Sequence, residues 1–304
     1  MASRRHLGWW VALILFSAGC ARPEATITLE TDAASSGEAA PETGVLRFAV
    51  GGMITPKEGM AYYRDFLRYI QEKTGVKVAY VDREGYAEIN EMLRTGQLEV
   101  AFVCSGPYVD GHREFGLELL AAPQAYGVTV YHSYIIVPKA SPAVTFADLR
   151  GKRFAFADPL SNSGKLVPTY MLAKMGETPE SFFKEFVFTR AHDRSIKAVA
   201  QEVVDGAAVD SLIWEYLNAV DPERTAKTRI LEKSPPYAIP PIVVAPGLAA
   251  ELKTKVREVV LGAHLDPKGR AVLAKMKIDR FVSIDDRAYD SVREMQAWIA
   301  KQPR

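Results

Sequence analysis

Along the chain, short apolar runs alternate with stretches whose apolar residues recur at helical spacing. Leu46 to Val50 (LRFAV) is a compact strand closed by Gly51-Gly52. From Lys57 to Lys73 the residues Met60, Tyr63, Phe66, Leu67 and Ile70 fall close to helical spacing, and Thr74-Gly75 ends that helix. Val76 to Val81 is a second strand, Tyr86 to Thr95 a second helix, and Leu98 to Cys104 (LEVAFVC) a third strand that stops at Ser105-Gly106-Pro107. Such alternation predicts an α/β fold with a parallel sheet covered by helices. Ligands of these folds bind beyond the carboxyl ends of the strands, here Gly51 to Thr55 and Cys104 to Tyr108.

Leu117 to Pro123 and Val128 to Pro138 are further strands, the second with Tyr131, Ser133 and Ile135 on one face. The pattern then restarts. Phe146 to Gly151 reads as a helical turn, Arg153 to Ala157 as a strand and Gly164 to Met175 as a helix. Phe186 to Arg190 follows as a strand, Ser195 to Asp205 as a helix, and Ala207 to Val209 as a strand ending at Asp210. A second αβ unit is thus inserted after Lys139, and Ser234 to Pro241 (SPPYAIPP) is a stiff crossing back to a strand at Ile242 to Ala245. Two adjacent crossings imply a hinge between two lobes, residues 45–140 plus 237–304 and residues 141–236. The helical run from Leu248 to Leu265 and the tail from Ser291 to Ala300 are expected on the first lobe.

The first 44 residues read differently. Arg4 and Arg5 precede an apolar run from Trp9 to Phe16, the pattern of an export signal over residues 1–19. Ser17-Ala18-Gly19-Cys20 is similar to a bacterial lipobox, with Ser17 where Leu is usual, and makes Cys20 the expected lipid attachment point. Residues 20–44, rich in Ala, Ser, Thr, Glu and Pro, read as a flexible tether. With 38 basic and 37 acidic residues the chain has no electrostatic footprint for nucleic acid. If Cys20 carries lipid, Cys104 has no disulfide partner; it is then either a buried small apolar residue or a leftover thiol with a role.

The polar chemistry gathers at strand ends of the second unit. Ser161-Asn162-Ser163-Gly164 leads into a helix, whose start offers N–H groups and the positive dipole end to an oxyanion, although Ser and Asn also serve as ordinary caps. His192 as imidazolium could donate to the same anion. Asp210 either caps the helix that follows or accepts a hydrogen bond from a ligand O–H, which would select a protonated acid over its fully ionised form. Ser163, His192 and Asp210 are triad residue types, but no G-x-S-x-G elbow accompanies them, and hydrolysis ranks well below binding. No metal-ligand spacing occurs, and no cofactor is expected.

The order FADPLSNSGKLVP, HDRSIKAVAQEVVDGAAVDS and KSPPYAIPPIVV, with YYRDFLRYIQEKTG, LEVAFVCSGPYV and YHSYIIVPK before it, resembles the phosphate/phosphite/phosphonate-binding proteins of ABC transport systems. The resemblance covers Leu46 to about Val260 and implies the type II periplasmic binding protein fold. It further implies that Ser161, Asn162, Ser163 and Gly164 cradle ligand oxygens and that His192 and Asp210 add contacts from the same lobe. Tyr131 and Ser133 would contribute from the first lobe near the hinge, and Cys104 with Ser105 would close the site. The expected protein is a monomeric, lipid-anchored, non-enzymatic solute-binding protein on the periplasmic side of the cell envelope, delivering a phosphorus oxyanion to a membrane permease. The alternative is the branch of this family that senses arsenic oxyanions, in which Cys104 would bind arsenite and the partner would be a sensor histidine kinase.

Overall fold

A computed structural model describes residues 44–51, 56–83 and 85–302. The export signal, Cys20, nearly all of the tether and most of the strand end at Gly51 to Thr55 lie outside them. Among the described residues no helix is long and apolar enough to cross a membrane. The first lobe opens with β1 (Val45–Val50), β2 (Lys77–Val81), β3 (Val100–Phe102) and β4 (Glu118–Gln124), and the chain then crosses through β5 (Val130–Tyr131). The second lobe holds β6 (Ser133–Pro138), β7 (Arg153–Phe156), β8 (Glu185–Phe188), β9 (Gly206–Asp210) and β10 (Thr228–Lys233). The chain returns through β11 (Tyr237–Ala238) and completes the first lobe with β12 (Ile242–Val244) and β13 (Arg280–Val282).

Two sheets result, ordered β13-β4-β12-β3-β1-β2 and β10-β6-β9-β7-β8, with β5 and β11 paired separately as the two crossings. The sheets are mixed rather than parallel throughout. β1, β2 and β3 run parallel, as do β7, β8 and β9, whereas β12, β13, β6 and β10 pair antiparallel because each lies beside a crossing or a return of the chain.

One boundary moves. The run Val128 to Pro138 is not one strand: it breaks at His132, whose N–H bonds the Ser211 hydroxyl. Tyr131 stays in the crossing, while β6 pairs with β9 from Ser133↔Asp210 onward. Ser133 therefore belongs to the second lobe, and residues 133–138 leave the first. The periodicity also misses the helix Ser105–Phe115 and the strands β10 and β13. Pro107 and two glycines conceal that helix, but a Pro in the first helical turn gives up only an N–H that has no partner there.

Each lobe is built around aromatic packing. In the first, Phe66 stacks on Phe281 at 5.3 Å and meets Phe48 edge to face at 6.5 Å. In the second, Phe154 stacks on Phe183 at 4.3 Å and meets Phe146 and Phe156, all buried. The Lys165 ammonium lies 4.4 Å over the Phe156 ring, which ties the turn after β7 to this cluster. Phe156 is the last residue of β7, so the cluster reaches the strand end and fixes the turn that follows it. Phe154→Ala is expected to destabilise the chain by roughly 3–5 kcal/mol in urea unfolding. A loss below about 1 kcal/mol would show that the cluster does not hold this lobe.

Candidate functional site

The ends of β3, β7 and β9 meet between the lobes, and the polar residues there are sealed from solvent. Cys104, Ser161, Asn162, Ser163, His192 and Asp210 are all fully buried. β3 ends at Phe102, two residues before Cys104, the N-cap of Ser105–Phe115, and Tyr86 begins the helix that follows β2. The lobes approach so closely that a Cβ on Gly106 would collide with the Leu160 carbonyl oxygen. Asp158 of the second lobe accepts the Tyr86 N–H of the first at 3.3 Å.

The segment Asn162–Leu166 is a wide turn of π type. Ser161 O receives the N–H of Lys165 at 3.1 Å and of Leu166 at 2.9 Å. Pro168 has no N–H to return to Gly164, so the Gly164 carbonyl is available to the Ala157 N–H, at 3.2 Å. Gly164 is required by space: a Cβ there would lie 2.9 Å from His192 Cε1 and still nearer the Ala157 methyl. Ser161 is the N-cap, accepting the Gly164 N–H at 3.0 Å. Both of these groups are engaged in shaping the turn. What the turn presents without a partner is Ser163 Oγ and Asn162 Oδ1, while Asn162 Nδ2 donates to the Tyr131 hydroxyl at 3.0 Å.

His192 is not an imidazolium. Its Nδ1 accepts the Asp210 backbone N–H at 3.0 Å, which leaves the proton on Nε2, 3.4 Å from Ser161 Oγ. Burial holds its pKa down at about 3. The same bond rules out a triad, since His192 takes a backbone proton instead of giving one to the Asp210 carboxylate, and it faces Ser161 rather than Ser163. Asp210 takes the capping role and keeps its other oxygen unengaged. Oδ1 caps the helix Ser211–Val220 through the Leu212 N–H at 2.7 Å, and Oδ2 is buried with no partner. Burial pushes this carboxyl up to about 7, against the opposing N–H groups of Leu212 and Ile213.

Ser133 and Ser105 support the site from behind. Ser133 Oγ donates to the Ser163 carbonyl at 2.6 Å, and Ser105 Oγ to the Ala238 carbonyl at 2.7 Å. Cys104 is inside: its Sγ lies 3.7 Å from the Tyr131 hydroxyl and 4.0 Å from Ser161 Oγ. Burial, then the Asp210 charge, raise its pKa, and the Asn162 and Gly106 N–H groups and the Tyr131 hydroxyl oppose them. Tyr86 was not among the expected site residues. Its hydroxyl is buried without a partner, and the groups acting on it are Cys104, Asp158, Asp210 and Tyr131. Its place just beyond a parallel strand was the available signal.

Of the five buried side-chain atoms without partners among the described residues, four belong to the segments that meet at these strand ends: Tyr86 OH, Asn162 Oδ1, Ser163 Oγ and Asp210 Oδ2. Hydroxyls and one carboxyl converging from both lobes suit a small ligand that offers acceptors and at least one O–H.

The family model for the periplasmic substrate-binding protein of phosphonate ABC transporters matches residues 48–289. The chain belongs to this family. Its members are substrate-binding proteins and not enzymes. The chain is 28% identical over 235 residues to the phosphonates-binding periplasmic protein of Escherichia coli K12, covering 76% of this chain and 69% of that one. It is 29% identical over 167 residues to the phosphate-import protein PhnD of Mycolicibacterium smegmatis, of which it spans 51%, using 50% of its own length.

Two solved structures share the fold. A binding-protein component of an ABC phosphonate transporter from Pseudomonas aeruginosa superposes with a TM-score of 0.80 at 24% identity, over 85% of this chain and 87% of that one. PhnD1 of Prochlorococcus marinus, in complex with methylphosphonate, gives 0.77 at 20% identity over 85% and 99%. The fold is that of the type II periplasmic binding proteins.

Asp210 and His192 give this family member a specific pH signature. Asp210 stays protonated in the fold up to about 7 but ionises above 3.8 when unfolded, so its contribution to stability is full at low pH and is lost as pH rises to about 7. His192 acts in the opposite sense: its contribution is present above 6.5 and is lost as pH falls toward about 3. Between about pH 4 and 6.5 the two offset each other. Asp210→Asn keeps the cap and removes the first, so its stability should rise from about pH 4.5 to 6.5, relative to the unsubstituted chain, by up to roughly 2–3 kcal/mol. Urea unfolding at the two pH values checks this, and superimposable profiles would contradict it.

Proposed function

We propose that the protein captures a small tetrahedral phosphorus oxyanion, of phosphate, phosphite or phosphonate type, in the interlobe cleft and presents it to the permease of an ABC transporter. The observation that carries this reading is that Tyr86 OH, Asn162 Oδ1, Ser163 Oγ and Asp210 Oδ2 are all buried without partners on the segments that meet between the lobes. A phosphoryl oxygen accepts from Ser163 and Tyr86. An acidic O–H of the ligand donates a hydrogen bond to Asp210 Oδ2 or Asn162 Oδ1. Once Asp210 is ionised, above about pH 7, a ligand without such a proton would set two negative charges against each other, so a singly protonated form is then the preferred one. Contacts from both lobes coexist only when the cleft is shut, and binding therefore shifts the population to the closed form that a membrane partner recognises.

Attachment to the membrane through a lipid on Cys20 is part of the proposal, supported by the lipobox-like Ser17-Ala18-Gly19-Cys20 and the tether after it. Cys20→Ser should move the protein from the membrane fraction to the soluble one, and an unchanged distribution would rule the anchor out.

A second reading, arsenite capture for a sensor kinase, is favoured by the thiol of Cys104 inside the cleft, since soft sulfur suits arsenic(III) better than phosphorus oxyanions. Calorimetric titration of phosphate, phosphite, methylphosphonate and arsenite into the full chain separates the two. Ser163→Ala should weaken a phosphorus oxyanion by roughly 1–3 kcal/mol, the worth of a hydrogen bond to a charged group. Unaltered affinity would remove the cradle from the account, and binding of arsenite alone, abolished by Cys104→Ser, would establish the second reading instead.

A further inference from the structure

The C-terminal helix Asp290–Ala300 is anchored to the first lobe. The Tyr289 hydroxyl, just before it, donates to the Ile239 carbonyl at 2.9 Å, the Arg293 guanidinium donates to the Asp286 carbonyl at 3.0 Å, and the Gln296 amide donates to Asp110 at 3.2 Å. Its last turn nevertheless reaches the second lobe. Trp298 meets Tyr170 edge to face, with ring centroids 4.9 Å apart, and the Lys174 ammonium lies over the same Tyr170 ring at 4.4 Å. Both rings are half-buried. Tyr170 and Lys174 belong to the helix Val167–Lys174, which continues directly from the turn Asn162–Leu166. Val292 and Met295 of the C-terminal helix share one apolar cluster with Val167, the first residue of that helix.

Resting on the proposed capture of an oxyanion by closure, we infer that Trp298 and Tyr170 are positioning residues, whose contact braces the helix behind the Ser163 turn against the first lobe and so sets how long a ligand is held. The helix Val167–Lys174 moves with the second lobe and the C-terminal helix with the first. Attraction between ring atoms fades within an ångström or so of added separation, so the pair as it stands belongs to the shut arrangement. A ligand held by Ser163 leaves when the lobes part. Parting them breaks the Trp298–Tyr170 contact in addition to the ligand's own hydrogen bonds, and the brace therefore slows release without touching the ligand. Association is unaffected, because the contact forms only as the lobes come together.

Calorimetry and stopped-flow tryptophan fluorescence on the full chain, with phosphate, phosphite and methylphosphonate, test this. Trp298→Ala should weaken the anion that binds on the order of fivefold, the worth of an aromatic pair, through faster release. Tyr170→Leu should do the same, and the two together should cost no more than either alone. Trp298→Phe keeps an aromatic edge and should hold affinity within about twofold. It should also abolish the ligand-induced change in tryptophan emission, since Trp214 pairs with Tyr134 inside the second lobe and does not sense the parting of the lobes. Urea unfolding shows which variants are folded; Trp298→Phe and Tyr170→Leu carry the test if Trp298→Ala is not. Unchanged release in the folded variants that lack the pair, or an emission change that survives in Trp298→Phe, would overturn the inference while oxyanion capture stands. Absence of binding by all three anions would overturn both.

Discussion

Shutting two lobes over polar side chains strips them of water, and each buried group left without a partner costs roughly 1–3 kcal/mol. Tyr86, Asn162, Ser163 and Asp210 each contribute one such atom. Together those penalties are comparable with the whole stability of an ordinary domain. In the proposed reading, a ligand that supplies the missing hydrogen bonds sustains the closed arrangement, and occupancy and shape become one variable. The glycine at position 106, which permits contact with the Leu160 carbonyl, and the Tyr86–Asp158 bond across the cleft become useful only in that state.

The remaining polar groups serve this constraint by being fully engaged with one another. Ser161 caps its own turn, Ser133 holds the Ser163 carbonyl, and His192 accepts the Asp210 N–H. Neutralising His192 matters for selection. An imidazolium would attract any anion, whereas neutral donors beside a carboxyl discriminate by the number and direction of hydrogen bonds. Asp210 does two things, since one of its oxygens fixes the helix behind it and the other is buried without a partner.

Much of this was legible in the chain itself, for identifiable reasons. The alternation of strands and helices and the proline-flanked return crossing at Ser234 to Pro241 are local patterns, and they stand as read. His132 could not be read, because the break it makes between β5 and β6 arises from pairing with two different partners, Tyr237–Ala238 and Gly206–Asp210. That break carries Ser133 into the second lobe. Ser105–Phe115 was hidden by Pro107 and by Gly106, whose presence is set by close approach to the Leu160 carbonyl of the other lobe rather than by helix propensity. The charge state of His192 likewise depends on a backbone N–H that lies 18 residues away in sequence.

A crystal structure of the protein grown with methylphosphonate tests the central claim most directly. The account predicts phosphorus density enclosed between the lobes, with ligand oxygens within hydrogen-bond reach of Ser163 Oγ, Tyr86 OH and Asp210 Oδ2. Density elsewhere, or a closed cleft in which these atoms remain unpartnered, would contradict it.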